Sequence, residues 1–212
     1  MRSVTNILLR TWFVIIQFLT VPPNFVFTRI LHLTVERPHD FKIPHGTLII
    51  ANHQSKIDPF LISYHVGIKN WTSIVPIRYP VTPDYMNKHI MGFIICLFGG
   101  YNIGNTPLER LKKLVYTREL LRQKYSVVLF PEGKIVRDRD RVAEFQKGAH
   151  MLFNENYPLV FVRLTGLNRK HYLRFWKNKD KNIKLIYSKC YDETVDPKEK
   201  IEAMVSFFEK TV

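Results

Sequence analysis

His53 and Asp58 stand five residues apart in the stretch 49–61, Ile-Ile-Ala-Asn-His-Gln-Ser-Lys-Ile-Asp-Pro-Phe-Leu. An imidazole beside a carboxylate is suited to taking a proton from a hydroxyl. Histidine titrates near neutrality, and a carboxylate on one ring nitrogen fixes the tautomer, stabilises the imidazolium and leaves the other nitrogen as the base. On one continuous helix the two side chains would sit about 140° apart and could not touch. The pair therefore requires a turn between them.

Residues 47–51, Thr-Leu-Ile-Ile-Ala, have the length and composition of a buried strand, and residues 52–58 replace them with small and polar groups. Ser55-x-x-Asp58 and Asp58-Pro59 both signal a helix start near 55 or 58. The strand end then delivers His53 and the turn folds Asp58 back onto it. The competing assignment makes Asp58 a helix cap and His53 a hydrogen-bonded residue at a strand end, and for an isolated pair it would prevail. Ser55 is the one nucleophile inside the block, and capping the helix is its plainer role.

A second stretch, Phe130-Pro131-Glu132-Gly133, closes a strand predicted over 127–130 and so emerges at the C-terminal edge of a sheet, where ligands gather in open α/β folds. Together, Asn52-His53-x-Ser55-x-x-Asp58 and Phe130-Pro131-Glu132-Gly133 resemble the glycerolipid acyltransferase family, typified by 1-acylglycerol-3-phosphate acyltransferases. That family carries an Asn-His-x-x-x-x-Asp block followed, further along, by a Phe-Pro-Glu-Gly block. The likeness runs over residues 47–162 and takes in Phe145-Gln146-Lys147-Gly148-Ala149 and the Val/Leu/Phe strand at 158–164.

The resemblance implies an O-acyltransferase of phospholipid biosynthesis. A fatty acyl group would move from a thioester, acyl-CoA or acyl carrier protein, to the hydroxyl of a lysophospholipid, 1-acyl-glycerol-3-phosphate first among them. His53 is then the base and Asp58 its orienting partner. No bound cofactor and no metal are implied. Asn52, Ser55, Pro131, Glu132 and Gly133 fall at substrate-binding positions, and Lys134, Arg137 and Lys147 are the cations nearest an acceptor phosphate. Two family arginines are replaced, at Asn105 and Ile135. Asparagine lacks the planar fork that matches a phosphate. Lys134 or Arg137 would substitute, with Arg110 and Lys147 next. A different lysophospholipid, or a lipid without a phosphomonoester, is the alternative acceptor.

The elements that must hold these residues can be read from the rest of the chain. At 212 residues, 46% hydrophobic and 13% aromatic, it suits one α/β domain with a sizeable core and excludes a disordered chain. The net charge of +14 points to an anionic partner: nucleic acid, a phosphorylated substrate or anionic lipid. Zinc-finger and RNA-recognition spacings are absent and the cations are dispersed, so no nucleic acid is expected. Cys96 and Cys190 form no disulfide framework, which fits a reducing compartment and the cytoplasmic face of a membrane. The chain lacks Gly-x-Ser-x-Gly and His-Glu-x-x-His, which argues against a serine hydrolase and that class of zinc hydrolase. The rival from another class is a non-catalytic membrane- or nucleic-acid-binding protein with the same fold.

The expected architecture is a single α/β domain over 38–212, its mixed, largely parallel sheet flanked by helices, preceded by a membrane-associating helical segment over 1–37. Residues 7–26 are mostly apolar but broken by Pro22-Pro23, and 11–21 is about half of the ~20 residues that a crossing helix needs. An interfacial or re-entrant helix is expected there, with 25–33 as a second limb. A signal peptide and an ordinary core helix are the alternatives.

Beyond the first block, a helix is predicted over 60–66, a strand over 71–77 and a short helix over 83–88. The apolar run 90–98 would be core or the entrance for an acyl chain. A helix over 106–124 is capped by Thr106 and Glu109, with Leu108, Leu111, Leu114 and Val115 on one face. The loop with Arg139 and Arg141 reads as solvated. Residues 168–181 mix cations with Tyr172, Phe175 and Trp176, as a membrane interface or single-stranded nucleic acid would favour. A strand at 183–188 and a helix carrying Ile201, Met204, Val205 and Phe208 complete the domain.

Overall fold

Leu48, Ile49, Ile50 and Ala51 are all sealed from solvent, as befits a strand with apolar side chains on both faces of a sheet. A computed structural model of the chain describes residues 2–19, 33–136, 146–153, 155–166 and 183–209. In order these form α1 (Arg2–Leu19), β1 (Thr34–Glu36), β2 (Leu48–Ala51), α2 (Asp58–Tyr64), α3 (Ile68–Ile74), β3 (Ile77–Val81), α4 (Pro83–Met86) and α5 (His89–Leu97). They continue with β4 (Gly100–Asn102), α6 (Pro107–Arg122), β5 (Ser126–Leu129), α7 (Lys147–Phe153), β6 (Leu159–Thr165), β7 (Lys184–Tyr187) and α8 (Pro197–Glu209).

The strands make one sheet in the order β1-β7-β6-β2-β5-β3-β4. Every neighbouring pair is parallel except β6 with β7. Successive side chains point to opposite faces, so Ile49 and Ala51 join Val128, Val160 and Val162 against α2 and α3. Leu48 and Ile50 join Val127 and Phe161 on the other face, against α6, α7 and α8. Parallel strands need long crossovers, which is why the two neighbours of β2 come from far along the chain. The C-terminal ends of β2 and β5 consequently open side by side at one edge of the sheet.

Several expectations are corrected. Residues 71–74 belong to α3, and the strand begins only at Ile77. Trp71, Ile74 and Val75 fit a helical period as well as a strand, and Asn70 anchors the helix form by bonding Ile43 N–H, Phe41 O and Val66 O. β1 lies within the segment assigned to residues 1–37, yet pairs with β7 as a sheet strand. In α6, Leu108, Leu111 and Val115 are exposed and the helix buries Thr117, Leu120 and Leu121 instead, because only its last turns overlie the sheet. Val205 of α8 is exposed while Met204 and Phe208 are buried. The run 90–98 is not core, since α5 leaves Ile90, Met91, Phe93 and Ile94 in the open. The predicted cap of α6 is formed: Thr106 Oγ1 accepts from Glu109 N–H at 3.2 Å, and Glu109 accepts from Asn105 N–H at 2.7 Å. The backbone N–H groups of Asn105 and Thr106, both donated to its Oε2, hold the Glu109 carboxyl below the usual carboxylate range.

Helix α1 has two faces. Phe13 and Gln17 turn inward, and the Gln17 amide spans the start of β3, donating to Ile77 O at 2.8 Å and accepting from Ile77 N–H at 2.9 Å. Leu8, Trp12, Ile15 and Leu19 lie within about 60° of each other on the opposite side and are exposed. Among the described residues no helix is long and apolar enough to cross a membrane. The second limb expected over 25–33 lies outside the described residues except for Leu33, and the basic-aromatic stretch 168–181 lies wholly outside them.

Candidate active site

β2 ends at Ala51, and the next residue closes the ladder with its side chain. Asn52 donates its amide N–H to Leu164 O at 2.8 Å and accepts Leu164 N–H at 2.7 Å, so the amide pairs β2 with β6 one step past the last strand residue. With 1% of its surface exposed, Asn52 is buried in the scaffold between the two strands. His53 follows as the first residue free of the ladder.

Asp58, at the start of α2, folds back over the intervening loop. Its Oδ2 lies 2.9 Å from His53 Nδ1 and accepts Gln54 N–H at 2.6 Å and Ser55 N–H at 2.7 Å, while Ser55 Oγ donates to Oδ1. Burying a lone carboxylate costs several kcal/mol, and four donors around one fully buried group are what offset that cost. The helix itself has no side-chain cap at Ile57. The Asp58 carboxylate therefore serves the loop and the imidazole rather than the helix end, and the Ser55 hydroxyl is engaged with Asp58 rather than poised as a nucleophile. With Nδ1–H donated to the carboxylate, His53 keeps its lone pair on Nε2.

β5 supplies the other half. Phe130 stacks on the His53 ring, with centroids 4.1 Å apart and planes 21° from parallel. Glu132 is buried and its Oε2 accepts the His53 backbone N–H at 3.3 Å, tying the two strand ends together. Gly133 has φ +65°, a conformation that glycine adopts without the steric penalty of a Cβ. The chain then passes over His53, where Val136 N–H donates to His53 O at 2.7 Å. Pro131 is buried and its carbonyl accepts Gln146 N–H at 2.8 Å, joining the turn to the start of α7.

The structure thus gathers His53, Ser55, Asp58, Pro131, Glu132 and Gly133 at one edge, with Lys134 exposed on the adjoining turn. Arg137 and the side chain of Lys147 lie outside the described residues. Asn105 is exposed at the entry to α6, following the edge strand β4, two strand positions from β5. At the usual strand spacing that is roughly 10 Å away. Phe130 was not singled out as a site residue. The signal available for it was an aromatic residue at the end of a strand whose next residues carry the second block. Among the described residues no three His, Cys, Asp or Glu side chains gather as metal ligands.

At this edge the His53 ring is held between a buried carboxylate on Nδ1 and an aromatic ring on its face. Two relatives, the probable 1-acyl-sn-glycerol-3-phosphate acyltransferases of Mycoplasma genitalium and Mycoplasma pneumoniae, are each 26% identical, over 122 and 126 residues. The matches take in 56% and 57% of this chain but only 44% and 45% of the relatives, so the chain spans less than half the length of the curated relatives it matches. The crystal structure of the 1-acyl-sn-glycerophosphate (LPA) acyltransferase PlsC from Thermotoga maritima superposes over 100% of both chains with a TM-score of 0.50 and 17% identity, and shares the fold. The model of the family described as Acyltransferase matches residues 32–162, more than half of the sequence and all of the site just described, and the chain belongs to that family.

Proposed function

We propose that this protein transfers a fatty acyl group from a thioester, acyl-CoA or acyl carrier protein, to the hydroxyl of a lysophospholipid in phospholipid biosynthesis. The names of its relatives make 1-acyl-glycerol-3-phosphate the first acceptor to test. The observation that carries the reading is the 2.9 Å contact between His53 Nδ1 and the buried Asp58 carboxylate at the mouth of two parallel strands. His53 Nε2 takes the proton of the acceptor hydroxyl as its oxygen attacks the thioester carbonyl. The tetrahedral intermediate collapses with loss of thiolate, and the imidazolium returns the proton to that sulfur. The Asp58 carboxylate stabilises the imidazolium between these steps. Lys134, Arg137 and Lys147 are the cations we assign to the acceptor headgroup, and the exposed apolar side of α1 is the surface we assign to the bilayer on its cytoplasmic face. β1 belongs to the sheet, so the membrane-contacting part is placed ahead of it.

Purified wild type, His53→Ala and Asp58→Asn, assayed with saturating thioester and a panel of acceptors, test the reading. Loss of the base is expected to lower turnover roughly 10²- to 10⁴-fold in a protein that still folds, its thermal unfolding temperature lowered by the loss of one of the four donors to Asp58. Substantial turnover by folded His53→Ala would exclude the base. Asn105, standing where the family resemblance implies an arginine, favours a second reading with a different acceptor. Mass spectrometry of the products separates the two: a preference for a lysolipid without a phosphomonoester establishes the second.

A further inference from the structure

Helix α5 is the feature of the fold that neither the site nor the core accounts for. It carries no acidic residue, and Ile90, Met91, Phe93 and Ile94 are exposed, Ile90 at 79% and Phe93 at 66%. Those four span about 160° of the helix circumference. Gly92 lies on the opposite side, where a Cβ would come within 2.0 Å of the Met86 carbonyl oxygen. The close approach at Gly92 fixes α5 against α4 by its narrow side and leaves its broad apolar side uncovered. A soluble domain seldom leaves several large apolar side chains together in water without a use for them.

Two further observations say what covers it. First, β3 and β4 are parallel, so α4 and α5 must return from the edge bearing His53 to the opposite edge. At that far end Phe98 O accepts from Gln17 Nε2 at 3.1 Å, which joins the end of α5 to the inward side of α1. Both helices that meet there carry exposed apolar side chains, and α5 extends between that junction and the edge with the site. Second, cations and an aromatic ring cluster at the start of α5. The ammoniums of Lys56 and Lys88 lie 5.1 Å and 5.8 Å from the Tyr85 ring, and Lys56 is part of the loop between His53 and Asp58. An aromatic ring flanked by cations at the end of an apolar helix matches the headgroup level of an anionic bilayer, where rings sit and lysines meet lipid phosphates.

We infer that α5 is a second membrane-contacting element, lying in the interface with Ile90, Phe93 and Ile94 among the acyl chains and Lys56, Tyr85 and Lys88 at the headgroups. The inference rests on the reading that α1 contacts the bilayer. With nine residues, α5 is far short of the ~20 needed to cross, so it lies in the plane of the interface. Its contact brings the His53 edge down to the headgroups, so an acceptor lipid presents its hydroxyl without leaving the leaflet.

The full chain is tested by flotation with phosphatidylcholine vesicles, with and without phosphatidylglycerol. The variants are Ile90→Gln/Phe93→Gln, Lys88→Gln, and Trp12→Ser in the outward stripe of α1. For the double variant we expect vesicle partitioning to fall about tenfold or more and transfer to a bilayer-embedded acceptor to fall with it. Thermal unfolding and transfer to a monodisperse short-chain acceptor should stay as in wild type. Lys88→Gln should weaken binding only to the anionic vesicles. Loss of binding in Trp12→Ser but not in the double variant overturns the role of α5 and leaves the reading of α1 intact. No loss in either overturns both. Unchanged partitioning with an altered KM for long-chain donors would place α5 against the acyl chain of the substrate. A lipid-free wild-type dimer that the double variant converts to monomer would make the face a contact between copies, and each of these two results also overturns the inference.

Discussion

The position of the His53 ring is set from three sides: Asp58 on Nδ1, Phe130 on its face and Glu132 on its backbone N–H. Only the first was legible in the sequence, because the turn implied by Ser55-x-x-Asp58-Pro59 is local. The other two join residues on different strands, and no spacing rule announces which strand will lie beside β2. Asn52 illustrates the converse. Its place beside the histidine suggested a ligand contact, whereas its amide completes the β2–β6 pairing that Leu164 requires. An aromatic stack of this kind contributes about 0.5–1.5 kcal/mol, so Phe130→Leu should lower kcat roughly three- to tenfold with little change in donor KM, and Phe130→Tyr should retain most activity. Steady-state kinetics on both variants check this. A Phe130→Leu enzyme as fast as wild type would remove the ring from the positioning of His53.

Among the elements, the strands of the sheet centre and the capped helix α6 were readable because composition and capping chemistry agree there. The failures occur where short apolar runs satisfy two periods, as at 71–77, or where tertiary position decides exposure, as on the first turns of α6. Helix α1 has an apolar outer side and a polar group on its core side. Its outer stripe is apolar, but Gln17, the polar residue on the buried side, supplies both hydrogen-bond partners that Ile77 would otherwise lack. Gln17→Leu leaves that buried N–H and C=O unpaired, at a cost of about 2–4 kcal/mol. Thermal unfolding of this variant should begin roughly 5–15 °C lower, with vesicle binding of the folded protein preserved. Trp12→Ser should do the reverse. If Gln17→Leu melts with wild type, α1 is not held through this residue.

For the whole molecule, buried ionisable groups set the alkaline limit. Burial raises the phenols of Tyr79, Tyr101 and Tyr187 above their ordinary value of 10.0. The unfolded chain releases these protons near pH 10 while the fold retains them, so their stabilising contribution is complete below that pH and is lost as pH rises further. Lys200, lowered from 10.5 by burial, works in the opposite direction until the unfolded lysine has itself titrated. Urea stability should therefore fall above about pH 10.5, by up to about 1.4 kcal/mol per pH unit for each tyrosine, and Tyr101→Phe should flatten the slope by one proton. Flat stability in urea titrations to pH 11.5 or so would contradict it.

The central place of β2 also governs how the protein comes into being. Glu132 reaches His53 across 79 residues of sequence and Asn52 reaches Leu164 across 112. During translation at about 5–20 residues per second, a Leu-Ile-Ile-Ala strand waits roughly 4–20 s with both hydrogen-bonding edges bare. Such a segment is prone to pair with another chain. The strand that later delivers His53 is, while the ribosome is still at work, a stretch that a chaperone would usefully cover.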